Sequence, residues 1–569
     1  WMAGAGISQP LPQPPPGDAA ETEILDVTAS ADATLTIDGH AVPLRPAYEH
    51  GTARSSDGAV RVEVLTPHKT WLHVSVRDGA GGKPLASRVH FRAPDGRYLP
   101  PYGHRQDVND NWFEDYGNDV KLHGTPYAYV DGTFQAELPV GEVYAEVFKG
   151  FEFQPLRQKL TILPGQRELT LQLERPLDWR RRGWVTADTH VHFISPQTAW
   201  LQGQAEGLNL INLLASQWGD LFTNVGDISG ALSGVSRDET LVWVGTENRQ
   251  HLLGHISLLG VTGEPVFPMT TSGPSESYLG DPTWTTLAEW ADEARRKDGV
   301  VVIPHFPSPY CEVAADIVQG KIDAVEINMG NYSMQIGEWY RYLNCGYRVG
   351  AVGGTDKMGA NMPVGAIRTY ARLDDAAAQA PFSFAAWGAA VRAGRTFTTT
   401  GPLIDLVVEG HQPGSELTLP AGGGTLHVEA HAESVVPFHR LEVVVNGEVV
   451  AVEQAAGGTN SARISAPVPV TGSAWIAARC TSQFDRWIGS PRLVAAHTSP
   501  VYVVAGGADL FSPTDATYML TLLDGGLTWL DTLAIPADPE RQARARGVFE
   551  GAREALHRRL HTHGQDHDH

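Results

Sequence analysis

Cysteine is scarce: three residues in a chain of 569, at Cys311, Cys345 and Cys480. They are too few for a disulfide framework and carry no metal-type spacing, so they read as buried free thiols. No run of 18 or more apolar residues occurs, which excludes a membrane-spanning helix. Positive charge is also thin, with 43 Lys and Arg against 65 Asp and Glu and a formal net charge of −22. That balance opposes nucleic acid and anionic membrane surfaces as partners and leaves a small-molecule substrate as the expectation. There is no Gly-x-Ser-x-Gly elbow and no cysteine in a nucleophile signature, so a hydrolase built on this chain needs an activated water.

Glycine and proline, by contrast, are plentiful at 60 and 38 residues. They favour many turns and short strands over a helical bundle. The length suits three or four domains. Residues 1–58 open on a Pro-rich stretch, Gln9 to Pro16, that reads as an extended tether, followed by a strand at Ala33–Gly39. The chain starts at Trp1 with no visible signal peptide; a removed export signal or an internal fragment would both give such a start.

Residues 59–178 alternate with period two, as in Val60–Val64 and Leu72–Val76, with turn signals such as Asp78-Gly79 and Asp95-Gly96 between runs. They predict an N-terminal β-sandwich. It resembles the prealbumin-like and carboxypeptidase-regulatory-like sandwiches that accompany extracellular enzymes, which implies an extracytoplasmic location. The acidic, aromatic insert Asp107–Tyr116 reads as a solvated loop or a substrate-facing one.

From about 179 to 405 strands and helices alternate. Thr285 is expected to cap a helix carrying Leu287, Trp290, Ala291 and Ala294, stopped by Asp298-Gly299. Val300–Ile303 is a continuous apolar run, as in a strand buried on both faces. Helices at about 312–319 and 335–344 alternate with strands Ala324–Ile327 and Val349–Val352, so the expectation is a (β/α) barrel. Residues 406–505 return to β and read as an immunoglobulin-like sandwich with the turn Asn446-Gly447. Residues 506–569 carry two helical segments and a disordered His- and Asp-rich tail. The fold class is therefore multidomain α/β plus β, a barrel flanked by two sandwiches.

Several apolar runs of the barrel segment end in a residue able to bind metal. Val185–Ala187 leads to His190 and His192, whose spacing puts two imidazoles on one side of an extended backbone, with Asp188 in the same row. Leu241–Thr246 leads to Glu247, Val300–Pro304 to His305, Ala324-Val325 to Glu326, and Val349–Thr355 to Asp356. His255 opens a run of its own. Singly, each has an ordinary explanation: Glu247 could pair with Arg249, His305 could be a loop histidine, Asp356 could cap a helix. The common position at strand ends is what those explanations leave out. Histidines mixed with carboxylates suit Zn²⁺, Mn²⁺ or Fe²⁺ better than Ca²⁺ or Mg²⁺.

The ordered set Asp188-Thr189-His190-Val191-His192, Thr246-Glu247 with Gly254-His255, Ile303-Pro304-His305, Val325-Glu326-Ile327-Asn328 and Gly353-Gly354-Thr355-Asp356 resembles the PHP (polymerase and histidinol phosphatase) superfamily. More closely it resembles the CehA/McbA-type metallohydrolases, which include carbaryl hydrolases. Gly394–Pro402 and Ala496–Val503 resemble that family's C-terminal signatures. The resemblance implies a distorted (β/α)7 barrel and one or two divalent ions, Zn or Mn. One ion would take His190, His192 and Asp356, the other His255 and His305, with Glu247 bridging. Two departures stand out. Gln217-Trp218 occupies the place of an Asp-His pair, and Asp356-Lys357-Met358 replaces Asp-x-His. Those missing groups would serve mainly a third metal.

The resemblance implies a metal-dependent hydrolase in which an activated water cleaves an ester, carbamate or amide. Glu326 or Asp356 would move the proton. Lys357, with Arg249 and His251, would contact substrate or stabilise an oxyanion. Phosphoester hydrolysis, from the wider superfamily, is the alternative. A non-catalytic carbohydrate-binding or surface protein is the reading from another class.

Overall fold

The computed structural model describes residues 22–564 apart from 24, 26, 28, 66–67, 80–81, 112–116, 272–281, 309–310 and 484–492. The Pro-rich stretch, the last residues of the tail (565–569) and part of the acidic insert (112–116) lie outside the described residues. The chain divides into two compact units, residues 1–68 and 69–569.

In the first unit, hairpin Thr34–Ile37 with His40–Pro43 turns through Asp38 and Gly39, both at positive φ. Helix Leu44–His50 follows and is stopped by Gly51 in the left-handed region. Thr52–Arg54 and Arg61–Glu63 form a second hairpin. Val42, Ala47 and Ala53 make its small core.

The second unit begins with two β-sheets that share one core. Strand Lys69–Asp78 lies between Thr133–Pro139 and Glu168–Leu173 in a three-stranded sheet. Ser87–Arg92, Asp119–Leu122, Thr125–Val130, Gly141–Phe148 and Leu156–Ile162 make the five-stranded one. Inward residues of the first sheet (Leu72, Val74, Val76) meet those of the second (Val89, Phe91, Val143, Val147), as period-two alternation requires.

The α/β segment is built on one curved sheet: β1 (Trp184–Val191), β2 (Leu210–Trp218), β3 (Leu241–Gln250), β4 (Gly254–Leu259), β5 (Val300–Ile303), β6 (Ala324–Glu326) and β7 (Gly350–Val352), in that order. β1–β2–β3 and β5–β6–β7 run parallel; β4 is antiparallel to both neighbours. β8 (Arg368–Arg372) pairs antiparallel with β1, and β9 (Thr396–Thr399) with β8. The sheet curls back on itself. Thr369 Oγ1 bonds both the N–H and the C=O of Gly353 (2.8 and 3.1 Å), and Thr396 Oγ1 donates to the Ala351 carbonyl (2.7 Å).

Helices α1 (Pro196–Ala205), α2 (Leu287–Arg296), α3 (Val313–Val318), α4 (Tyr332–Asn344) and α5 (Phe384–Arg392) join the strands. Leu287, Trp290, Ala291 and Ala294 are the buried face of α2, as their spacing predicts. Its cap is Thr286, one residue beyond the expected Thr285. Thr286 forms a full capping box with Glu289, while the Thr285 hydroxyl reaches the Glu289 side chain instead (3.0 Å).

The later β region joins this sheet without a break, because strand Ala495–Thr498 pairs with β9. Its centre is the long hairpin Gly424–Val445 with Glu448–Val470. Two helices close the described chain, α6 (Pro513–Thr532) and α7 (Pro539–Thr562). Gly526 lets them approach: a Cβ there would fall 2.2 Å from the Phe549 ring. Among the described residues no helix is long and apolar enough to cross a membrane.

Candidate metal centre

The expected residues meet at the carboxyl ends of the parallel strands, the end where open and closed α/β sheets carry their sites. His190 lies on β1 and His192 just past it, Glu247 on β3, His255 on β4, Glu326 at the end of β6. His305 and Asp356 follow β5 and β7 and hold positive φ (34° and 49°), which for residues other than glycine marks a constrained backbone.

Six ligand atoms form two trios, His190–His192–Asp356 and Glu247–His255–His305. In the first, Nε2 of His190 is 2.9 Å from Nε2 of His192 and 3.4 Å from Asp356 Oδ1; His192 Nε2 to Oδ1 is 4.0 Å. In the second, Glu247 Oε1 is 3.2 Å from His255 Nδ1 and 3.3 Å from His305 Nε2, and those nitrogens are 3.3 Å apart. Triangles of these edges put their corners roughly 1.9–2.0 Å from the centre, close to Zn–N and Zn–O lengths of about 2.0–2.2 Å. Glu247 stands between the trios. Oε1 also faces His190 (3.5 Å), and Oε2 faces His192 (3.4 Å).

The outer ring atoms fix which nitrogens point inward. His192 Nδ1 donates to the Leu214 carbonyl (3.0 Å), His305 Nδ1 to the Ser308 carbonyl, and His190 Nδ1 faces Glu326 Oε1 (3.3 Å). Each donation leaves Nε2 with its lone pair toward the cluster, the arrangement a metal-binding histidine requires. Burial opposes an imidazolium at His190, but Glu326, Asp356 and Glu247 outweigh it and push its pKa up to about 10. The same carboxylates would favour a divalent cation at Nε2, which binds there by displacing the proton and taking up the lone pair. Burial holds the His255 pKa down to about 4, so this ring is neutral and able to ligate. Burial works against ionising Glu247, yet Arg249, His255 and His190 take its pKa well below the ordinary value. The donor set thus fits a divalent ion bound by nitrogen and oxygen.

Glu326 lies behind these atoms. Its Oε2 accepts from Thr189 Oγ1 (2.9 Å) and its Oε1 from the His305 amide (3.1 Å). Gly354 lies against it; a Cβ there would be 2.4 Å from both Glu326 Oε2 and Thr189 Oγ1. Lys357 is placed differently from a substrate-facing group. It is fully buried, and its ammonium donates to the carbonyls of Gly359 and Met362 (both 2.8 Å).

Three residues take roles that differ from the expected ones. Asp188 does not join the ligand row. Its carboxylate accepts from the amides of His190, Thr355 and Gly365 and from Thr355 Oγ1 (2.7 Å), clamping β1 to the Asp356 loop. Trp218, the last residue of β2, carries the Arg249 guanidinium 3.5 Å above its ring. Arg249 makes the ion pair with Glu247 that the ordinary explanation of that residue proposed (3.0 Å), and it does so inside the ligand cluster. Trp218 shares the strand-end position that identified the ligands, and that signal could have found it.

A cavity of about 660 Å³ opens at the opposite, amino ends of the strands, lined by Trp243, Phe384, Arg295 and Arg392. Arg295 is paired to Asp323 (2.7 Å), and Arg392 donates to the carbonyls of Asp298 and Gly299.

No family model and no curated protein matches the chain. Among solved structures it is similar to PsfC from Pseudomonas syringae, with 12% identity and a TM-score of 0.23 over 34% of this chain and 83% of that one. It is also similar to the lesion-specific endonuclease PfuEndoQ from Pyrococcus furiosus, with 13% identity and a TM-score of 0.24 over 37% of this chain and 56% of that one. Endonuclease Q bound to a 27-mer duplex with an abasic lesion gives 14% identity and a TM-score of 0.24. Likenesses of this size assign no family.

Proposed function

We propose that the protein is a divalent-metal-dependent hydrolase of small molecules, built on a distorted PHP-type barrel. One observation carries the reading: two trios of buried or half-buried ligands converge at the strand ends, with three imidazoles turned inward by outer hydrogen bonds. His190, His192 and Asp356, with Glu247, His255 and His305, would hold Zn²⁺ or Mn²⁺, which would supply the Lewis acidity needed to activate a water and polarise a substrate oxygen.

The chain's own residues do the rest. Glu326 orients His190 and holds the His305 amide. Asp356 is the most open carboxylate of the set, with 28% of its side chain exposed. Burial pushes its pKa up, but His190 and His305 outweigh that and keep it below the usual value, so it stays ionised. As the ionised and most exposed carboxylate of the set it is the one to take a proton. Lys357 is a positioning residue that braces the Asp356 loop.

An ester, carbamate or amide is the favoured substrate, because the cations near the centre are already engaged, Arg249 by Glu247 and Lys357 by carbonyls. A phosphoester is the second reading, favoured by the buried guanidinium beside the ligands. Purified protein should carry metal and hydrolyse p-nitrophenyl acetate or 1-naphthyl carbamate faster than p-nitrophenyl phosphate. Less than about half an ion per chain, with no activity restored by Zn²⁺ or Mn²⁺, would sink the enzyme reading and leave the binding-protein one.

A further inference from the structure

We propose that Arg249 sets the metal stoichiometry of the centre: its guanidinium acts as a resident cation at the Glu247–His255–His305 trio, so that one divalent ion binds tightly and a second only weakly. The inference rests on the metal-centre reading above. Arg249 and Glu247 sit two apart on β3 and share a face, and Arg249 is paired across the hairpin with His255 on β4. Its Nη2 lies 3.0 Å from Glu247 Oε2 and 3.4 Å from His255 Nδ1. The group is 4% exposed and stacked on Trp218, so it has little freedom to swing aside.

Arginine keeps its proton under all ordinary conditions, so this positive charge is permanent. An ion at the second trio would bind His255 Nδ1 with a guanidinium nitrogen directly beside that atom. Toward His190–His192–Asp356 the guanidinium is set back by one atom, since it holds Glu247 Oε2 and that oxygen faces His192 Nε2 (3.4 Å). Charge balance points the same way. In and directly behind the six ligands stand four carboxylates, Asp188, Glu247, Glu326 and Asp356, and two cations, Arg249 and Lys357. Their two net negative charges are neutralised by one divalent ion. A second would leave a buried excess of positive charge, which a low-dielectric site disfavours.

The test is a Zn²⁺ titration of the full chain against a chelating indicator, with ions per chain counted by mass spectrometry. Wild type should hold one Zn²⁺ at least tenfold (about 1.4 kcal/mol) more tightly than any second. Arg249→Met removes the charge, keeps an apolar stem on Trp218, and should tighten the second site at least about tenfold. Arg249→Lys keeps a cation and should stay near one ion. Two equally tight ions in wild type overturn the proposal while leaving the metal centre standing. So does an Arg249→Met variant, folded by circular dichroism, that still holds only one. No bound Zn²⁺ in wild type overturns the metal-centre reading and this inference with it. Should Arg249→Met fail to fold, the neutral and polar Arg249→Gln takes its place with the same two outcomes.

Discussion

Glu326 accepts from the Thr189 hydroxyl and the His305 amide and faces His190 Nδ1, so one carboxylate ties together three of the strands that carry the centre. Glu326→Gln would keep the shape and lose the charge. Outer carboxylates of this kind typically contribute 10–100-fold to metal affinity, so Zn²⁺ binding in a chelator competition should weaken by about that factor. A change within about twofold would remove Glu326 from the account of how His190 is oriented. Gly354 makes a second residue-scale case. Its neighbours at 2.4 Å are Glu326 Oε2 and Thr189 Oγ1, themselves hydrogen-bonded, so Gly354→Ala must displace one of them. The variant should unfold about 1–3 kcal/mol more easily in urea and bind Zn²⁺ less well; a variant indistinguishable from wild type in both would show that the loop yields without consequence.

At the scale of elements, the stretch Ala496–Val503 is a seam between the α/β sheet and the later β region. Its strand pairs with β9, Ser499 Oγ accepts the Ala351 amide of β7 (3.0 Å), and His497 Nε2 accepts from Tyr340 on α4 (2.6 Å). His497 Nδ1 donates to the Thr498 carbonyl, so the ring is neutral, and burial with nearby Arg479 drives its pKa down to about 3. An unfolded histidine titrates near 6.5. The depressed value therefore contributes stability that is complete above pH 6.5 and is lost as pH falls toward 3, up to about 5 kcal/mol in all. His497→Gln cannot titrate there. Its melting temperature should fall less than that of wild type between pH 7 and pH 5, and equal falls would mean that His497 is not linked to folding in this way.

Much of this scale was legible in the sequence. The Val300–Ile303 run, the apolar stripe of α2 and the strand-end position of each ligand are local patterns, and they survive folding. What was hidden depends on partners far along the chain. Asp188 looks like a third member of the ligand row until Thr355 and Gly365 are brought to it. Lys357 follows Asp356 in sequence, yet the carbonyls of Gly359 and Met362 hold its ammonium. The stacking of Arg249 on Trp218 pairs the ends of two different strands, which no spacing rule encodes.

The second unit is also joined by a buried polar cluster between its first β region and the α/β segment. Arg88, on strand Ser87–Arg92, pairs with Glu206 at the end of α1 (2.8 Å), and both side chains are fully buried. Tyr129 donates to the same carboxylate (2.8 Å), while Lys149 and Arg368 donate to backbone carbonyls at Gln204 and Glu206. Burial lowers the Lys149 pKa to about 8. Three cationic side chains thus gather at Glu206: its carboxylate outweighs the desolvation of Arg88, while burial still wins at Lys149, which Glu206 opposes, and at Arg368, which Tyr370 and then Glu206 oppose. Removing one partner of such a buried pair typically costs about 3–5 kcal/mol, because the charge left behind has no water. Glu206→Gln should lose about that much in urea denaturation, and adding Arg88→Met should recover part of it because one stranded charge goes too. A loss below about 1 kcal/mol would mean that water reaches this joint, and that packing of Phe148 and Phe151 against the neighbouring aromatic core, rather than charge, holds the two parts together.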